Sequence, residues 1–517
     1  MRPSVVIILL LSVVLAPAGH SQPVRPASHD AGVSTGPEGD PIFIYFREHV
    51  LSTVERKATS VFAIDLDGDG DTDILSTSDE NWTVVWYENL GGSPPAFTKH
   101  TITEAARNAR SVYATDLDAD GDVDVVHGAL LGDMVAWHEN DGGSPPTFTT
   151  HLVSDQAFGT WSIYATDMDG DSDVDLVSAA VIHSRIAWWE SDGAETPTFT
   201  EHVITNTAKW AQSAHAEDID GDGDKDIVSA SRDDNTIAWF ESDGLTPPTF
   251  TKIFIKQALG AKSVYATDID GDSDIDVVGA ARLSDKVAWY ENNGAADPLL
   301  EERIITTNAD GAISVYATDV NDDGDIDVLS ASDQDNRIAW YESNGGTPPT
   351  FSEWTISKKA RSATGVYATD IDGDGDVDAL SSSWKDGKVA WYEQLSFGIA
   401  LDGMTLGNTI CRNLSTGTKG SGEANGPTSW RCEDIGAVTN SGDSMFLFSA
   451  GVADGTGPVG GTVTGLSIYA PRSVTCRNLT TAQTVKFDMD GRTWDCEAEG
   501  LVVSPGDPVQ QLVVGEA

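Results

Sequence analysis

The stretch GVYATDIDGDGDVDAL, residues 365–380, sets Asp370, Asp372, Asp374, Asp376 and Asp378 on alternate positions between two apolar runs. Carboxylates so close repel one another. Alone, the stretch reads equally well as an active site or as a cation-holding loop. Its copies decide between them. Asp65, Asp116, Asp167, Asp218, Asp268, Asp319 and Asp370 each open the same pattern, at steps of 51, 51, 51, 50, 51 and 51 residues. A fixed period of this size signals a propeller, solenoid or array.

Each unit holds four short alternating segments, A to D. In the second they are SVYATD (111–116), VDVVHG (123–128), MVAWHE (134–139) and FTTHLV (148–153). They read as β-strands separated by turn signals such as ENDGGSPP. The fold class is therefore all-β, a seven-bladed β-propeller. The last unit stops at its C segment, KVAWYE (388–393), and a spare D-like strand, IFIYFREHVL, lies at 42–51. That strand is expected to complete the last blade and close the ring, which removes long sheet edges. Trp86, Trp137, Trp188, Trp239, Trp289, Trp340 and Trp391 recur at the centre of the C segments and read as core between blades rather than as sugar-stacking platforms.

The A–B loop reads D-x-D-x-D-x-D-x-D. Alternate oxygens in a tight loop suit Ca²⁺, which takes oxygen ligands only. An EF-hand is excluded, because position 12 is Ser76, His127, Ser178, Ser229, Gly279, Ser330 or Ser381 instead of Glu and no helices flank the loop. Seven near-copies also make a catalytic carboxylate dyad implausible, since an asymmetric substrate needs only one. Position 2 (Leu66, Leu117, Met168, Ile219, Ile269, Val320, Ile371) is always apolar and reads as the loop's anchor. Position 6 is Gly70, Gly121, Gly223, Gly324 and Gly375, but Ser172 and Ser273 in two copies.

Over residues 43–394 these units resemble the FG-GAP/VCBS-type repeats of integrin α-chain propellers and many exported bacterial proteins. The resemblance implies up to seven Ca²⁺ ions. It leaves biochemical function open, because similar propellers serve as adhesion modules, lectins and non-catalytic parts of enzymes. By analogy with known nine-residue loops, positions 1, 3, 5 and 9 coordinate through side chains. These are Asp65, Asp67, Asp69 and Asp73; Asp116, Asp118, Asp120 and Asp124; Asp167, Asp169, Asp171 and Asp175; Asp218, Asp220, Asp222 and Asp226; Asp268, Asp270, Asp272 and Asp276; Asp319, Asn321, Asp323 and Asp327; and Asp370, Asp372, Asp374 and Asp378. Position 7 would offer its backbone carbonyl: Asp71, Asp122, Asp173, Asp224, Asp274, Asp325 and Asp376. The departures at Ser172, Ser273 and Asn321 bear on affinity at those sites.

Of 517 residues, 82 are acidic and 31 basic, a net charge of -51. That argues against a nucleic-acid binder, which needs a basic surface, and against electrostatic docking on anionic lipid. Residues 1–18 read as a secretory signal peptide with an A-x-A site at Ala16 and Ala18, and 19–41 as a linker. No later segment has the length of a membrane span. The expectation is a secreted protein, extracellular, periplasmic or on the cell surface, and monomeric. Beyond the propeller, CRNLSTG (411–417) matches CRNLTTA (476–482), defining β repeats at 395–460 and 461–517 that read as small sandwiches. Cys411, Cys432, Cys476 and Cys496 then pair most simply within each repeat, as Cys411–Cys432 and Cys476–Cys496.

Antiparallel order puts the A–B and C–D turns on one face of the ring and the B–C and D–A loops on the other. The D–A loops carry ten basic residues against four acidic, Glu55, Glu104, Asp155 and Asp310. Arg107, Arg110, Trp161, Lys209, Trp210, Lys262 and Arg361 are the candidate ligand-face residues, with Trp82, Phe158 and Trp384 as further exposed aromatics. The sequence supports a non-catalytic binding or adhesion protein for an extracellular protein or polysaccharide, an acidic polysaccharide fitting the loop charge. The alternatives are a lectin, or a glycan-active lyase or hydrolase, although no H-E-x-x-H, G-x-S-x-G or Walker pattern occurs. His49, His100, His151 and His202, in four different D strands, read as outer-strand surface residues.

Overall fold

In the computed structural model, side chains are described for residue 44 and residues 46–394 except 93, 296 and 297; elsewhere only strands are described. The second blade shows the pattern. Strand A is Ala109–Thr115, B is Asp124–Ala129, C is Met134–Asn140 and D is Phe148–Ser154. They pair antiparallel in the order A-B-C-D, and all seven sheets repeat that order. Strand B is buried along its whole length, because the neighbouring blades cover both of its faces. Strand D, at the rim, alternates between exposed and half-buried residues.

The core lies between blades. Trp86 of the first blade packs with Val112 and Val125 of the second, and Trp391 of the seventh with Ala58, Val61 and Val85 of the first. All seven C-strand tryptophans are at most 1% exposed, which places them in the core as expected. Each withdraws ~200 Å² from water, worth ~5 kcal/mol at ~25 cal/mol per Å².

The ring closes through Pro41–Ser52, which runs antiparallel to Lys388–Ala400 as the fourth strand of the last blade. Ile44 is buried, and Phe46 meets Trp340 edge-on at 6.2 Å. Two boundaries differ from expectation. The segment expected to be a linker contains the strand Gly32–Thr35, paired with Pro41–Ile44. The last C strand continues past residue 394, where Phe397–Ala400 pairs with Thr462–Gly465.

Farther on, a six-stranded sheet runs in the order Lys419–Glu423, Met404–Asn413, Ser444–Ala453, Pro508–Glu516, Ala470–Asn478, Thr484–Asp488. Strands of both C-terminal repeats share it. The side chains of the four cysteines lie outside the described residues.

Two features form the axis. One residue per A strand faces its neighbours around the channel: Phe62, Tyr113, Tyr164, His215, Tyr265, Tyr316 and Tyr367. Consecutive rings are 4.4–5.1 Å apart and the circle closes between Tyr367 and Phe62. Every A strand also breaks register with its B strand just after its first residue. The extra residue is Thr59, Arg110, Trp161, Gln212, Lys262, Ile313 or Thr364. A bulge re-aims the side chain it carries.

Candidate metal centres and the opposite face

Seven A–B loops share one hydrogen-bond scheme, visible in the first, except that the second and sixth lack the bond from the position-4 N–H to position 1. Asp65 (position 1) accepts from the N–H groups of Gly68 at 2.9 Å and Gly70 at 3.0 Å. Asp69 (position 5) accepts from the N–H of Asp71 at 2.9 Å. Asp73 (position 9) is buried, and its two oxygens accept from the N–H of Leu66 at 3.0 Å and of Asn89 at 2.7 Å. The position-9 aspartate therefore ties the loop to the end of strand C. The same pair of bonds recurs at Asp124, Asp175, Asp226, Asp276, Asp327 and Asp378. Position 2 is buried in every copy, as an anchor should be.

Positions 1, 3 and 9 converge. One oxygen from each lies within 4.8 Å of the others in Asp65–Asp67–Asp73, Asp116–Asp118–Asp124, Asp167–Asp169–Asp175, Asp218–Asp220–Asp226 and Asp268–Asp270–Asp276. Position 5, expected as a fourth side-chain ligand, is exposed, and one of its two oxygens accepts from the position-7 N–H. The position-7 side chain packs against a C–D turn glycine. A Cβ on Gly244, whose φ is +62°, would lie 1.9 Å from Asp224 Oδ2. Position 6 has φ between +79° and +101° in all the copies, including Ser172 and Ser273. Asn321 keeps its place, accepting from the N–H of Asp323 and donating to its carboxylate at 2.9 Å.

The electrostatics fit a cation. Burial pushes Asp73, Asp124, Asp175 and Asp226 up to about 7, Asp276 to about 8 and Asp378 to about 9, despite the two N–H bonds each accepts. Burial, then the position-5 carboxylate, raises Asp67, Asp118, Asp169 and Asp220, and lifts Asp270 and Asp372 to about 6. Buried oxygens of Asp67, Asp116, Asp169, Asp270 and Asp372 have no hydrogen-bond partner. Orphaned carboxylate oxygens at a point where three carboxylates meet suit a hard metal ion.

Sequence reasoning passed over two neighbours of these centres. A glutamate follows each C-strand tryptophan by two residues, and in the six copies with an aspartate at position 3 it lies in that aspartate's field, as Glu88 does for Asp67. The D-strand histidines are also more than surface residues. His49, His100, His151 and His202 stack on Trp391, Trp86, Trp137 and Trp188 at 4.4–4.7 Å. Their Nε2 atoms lie 2.6–2.7 Å from Glu393, Glu88, Glu139 and Glu190. In the fifth and sixth blades Arg303 and Trp354 hold the equivalent glutamates. The glutamate repeats in register with each tryptophan, which was the available signal.

On the opposite face, basic side chains lie over indoles. Lys57 is 4.6 Å from Trp384, Arg107 5.5 Å from Trp82, Arg232 4.2 Å from Trp210, and Arg110 and Lys262 are 4.5 and 5.2 Å from Trp161. Lys209 and Arg361 are exposed and carry no ion pair among the described residues. Of the loop acids, Glu55 is fully buried, bonded to Ser52, Tyr87 and Lys99, and so takes no charge to this face. Asp79 is occupied by Asn108 and Arg110. Phe158 lies 4.5 Å from His183 with the two rings tilted by 45°. Among the described residues no helix is long and apolar enough to cross a membrane.

Seven four-stranded blades with an aspartate loop between strands A and B define a repeat propeller with metal-binding geometry. The FG-GAP-like repeat family matches residues 65–127, 167–229, 218–279, 268–330 and 319–381, together more than half of the chain, and the chain belongs to that family. No curated protein matches the chain. Two solved structures of BBS1N in complex with ARL6DN, soaked with lead and with mercury, align at TM-scores of 0.48 and 0.45 and identities of 11% and 13%, over 67% of this chain and 95% of theirs.

Proposed function

We propose that the chain is an exported, calcium-stabilised binding module without catalytic machinery. Its B–C and D–A loops would be the contact face for an acidic extracellular polymer, of which an acidic polysaccharide is the best fit. The observation that carries this reading is the set of cation–indole couples on one face of a chain of net charge -51. A lysine or arginine held over an indole keeps its charge and is pre-organised for an incoming anion. Calcium is favoured over other metals by an all-oxygen donor set in a flexible loop. Near-identity of the loops favours a structural role for the ions over chemistry at any one of them.

The test is binding of the calcium-loaded protein to acidic and neutral polysaccharides. The variant Arg107→Ala/Lys209→Ala/Arg361→Ala should lose at least about 10-fold in affinity for the acidic ones, since each lost charge contact is worth ~1 kcal/mol. All three side chains lie in surface loops, so folding should survive. Affinity equal to that of the parent overturns the reading. Following the bound glycan for bond cleavage separates binding from lyase or hydrolase activity.

A further inference from the structure

The ring of bulge residues at the channel mouth is lopsided. Thr59 and Thr364 turn their hydroxyls to the carbonyls of Ala109 and Ala58 on the adjoining blades, each at 2.8 Å, so they stitch blades together. The second to fifth blades carry Arg110, Trp161, Gln212 and Lys262 instead. Arg110 and Lys262 both approach the ring of Trp161, at 4.5 and 5.2 Å. Lys262 comes from the blade beyond Gln212, so it reaches past Gln212 towards the axis. Below them the circle of seven aromatic rings lines the channel.

Polar groups at this mouth lack partners. Gln212 is 2% exposed, and neither its Oε1 nor its Nε2 has a hydrogen-bond partner. Lys262 forms no ion pair or hydrogen bond among the described residues, whereas Arg110 is paired with Asp79 at 2.8 Å and Arg282 with Asp333 at 2.8 Å. Burial, followed by the fields of Arg232 and Arg282 and partly offset by that of Asp333, pushes Lys262 down to about 7. A largely buried lysine with no ion pair of its own, beside arginines that are each paired with an acid, is costly for the fold alone. An orphaned amide beside it adds to that cost.

We propose that the channel mouth is an oxyanion site, in which Lys262 and the Gln212 amide receive one carboxylate or sulfate group of an acidic glycan, with Trp161 fixing the lysine and Arg110, Arg232 and Arg282 supplying the surrounding positive field. The proposal rests on the reading of this face as the polymer-binding face and names its central subsite. One ammonium and one orphaned amide can together satisfy a single oxyanion, while the outer couples meet the rest of the chain. The asymmetry of the ring gives the ligand one orientation on a scaffold otherwise repeated seven times.

Two measurements test it on the full calcium-loaded protein. In the first, Lys262→Met, which keeps the stem and removes the charge, is titrated with a galacturonate oligomer, a sulfated disaccharide and inorganic sulfate. The expected result is a loss of about 10-fold or more for the oligomer or disaccharide, whichever the parent binds, from a single charged hydrogen bond. The melting temperature without ligand should rise, since an unpaired buried charge has gone. Affinities equal to the parent's, with the triple loop variant still impaired, overturn the subsite and leave the face standing. In the second, trace acetylation at about pH 8 is read by mass spectrometry at Lys262 of the parent protein. An anion seated there holds the amine protonated and should protect it at least several-fold more than it protects exposed Lys209. Equal protection of the two lysines overturns the proposal even if the substituted protein misfolds. Protection by sulfate together with protection by only one of the glycans identifies which oxyanion the site accepts.

Discussion

Replacing the buried histidine pair of the second blade should free the fold from a penalty that grows as the medium turns acidic. His127 Nδ1 lies 3.0 Å from His138 Nε2, both rings are at 0% exposure, and His127 Nε2 has no partner. Other blades put a serine and a tyrosine at these two positions, as in Ser330–Tyr341 at 3.1 Å and Ser381–Tyr392 at 3.0 Å. Burial holds His127 at about 3 and His138 at about 4, against an unfolded value of 6.5. Their folded values are depressed, so both stay neutral in the fold while the unfolded chain takes up protons. Stability is then intact above the unfolded value and falls as pH drops below it. At about pH 5 each ring costs ~2 kcal/mol, or ~4 kcal/mol for the two; near pH 7.5 the cost is below ~0.2 kcal/mol. The variant His127→Ser/His138→Tyr exchanges a large–large pair for a small–large one already used elsewhere in the ring. Thr150, which loses its bond to His138 Nδ1, is exposed and can turn to water. Thermal unfolding at the two pH values reads the outcome. At roughly 1–2 °C per kcal/mol for a domain of this size, the gain at pH 5 should exceed that near neutrality by ~4–8 °C. His215 is likewise depressed, but it is present in both proteins and cancels. Equal gains at both pH values would refute the claim that these rings are buried and neutral.

The position-9 aspartates predict the opposite trend for protein stripped of metal. Their folded values are raised, so the metal-free fold is most stable where they are protonated and loses stability as pH climbs from about 4 through about 7 to 9. Calcium should therefore raise the melting temperature more at pH 8 than at pH 5, with ~2.7 kcal/mol per site at a hundredfold excess over Kd; dialysed protein with no added chelator is the right comparison, and a gap that does not widen with pH would contradict the assignment. Ser273 holds φ +79° where five other copies use glycine. Ser273→Gly should stabilise by up to ~1 kcal/mol in thermal unfolding, by relieving a left-handed strain, and Gly223→Ala, at φ +101°, should lose a similar amount. A serine variant no more stable than its parent would show that the loop is not strained there.

The architecture was legible because its information is periodic. An Asp-rich loop, a C-strand tryptophan and a turn glycine recurring every 51 residues give strand order, blade number and closure without any long-range reasoning. What escaped depends on register across strands. That His151 lies opposite Trp137, or that Lys262 occupies a bulge, follows only once the Cα pairing is known. The aromatic circle was in plain view, since Phe62, Tyr113, Tyr164, His215, Tyr265, Tyr316 and Tyr367 keep the same period, yet period alone says nothing about which face of an inner strand meets the axis. The turn of the aspartate loop was also hidden, because positive φ at positions 4 and 6 departs from the extended backbone that alternation along a segment assumes.

The repeats also explain why the aspartate loops, the most conspicuous chemistry in the sequence, are a poor place to look for a ligand. A feature copied seven times around an axis presents seven equal sites, and an asymmetric molecule gains nothing from six of them. Recognition needs departures from the repeat. These concentrate on the inner strand of the fourth blade, where Gln212, His215 and Glu217 replace the residues of its neighbours, and on Trp161 and Lys262 to either side. Orphaned polar atoms at Gln212 and at His215 Nδ1 fall in the same place. Symmetry in this molecule marks what holds it together, and the broken symmetry at the axis is where the proposed oxyanion site lies.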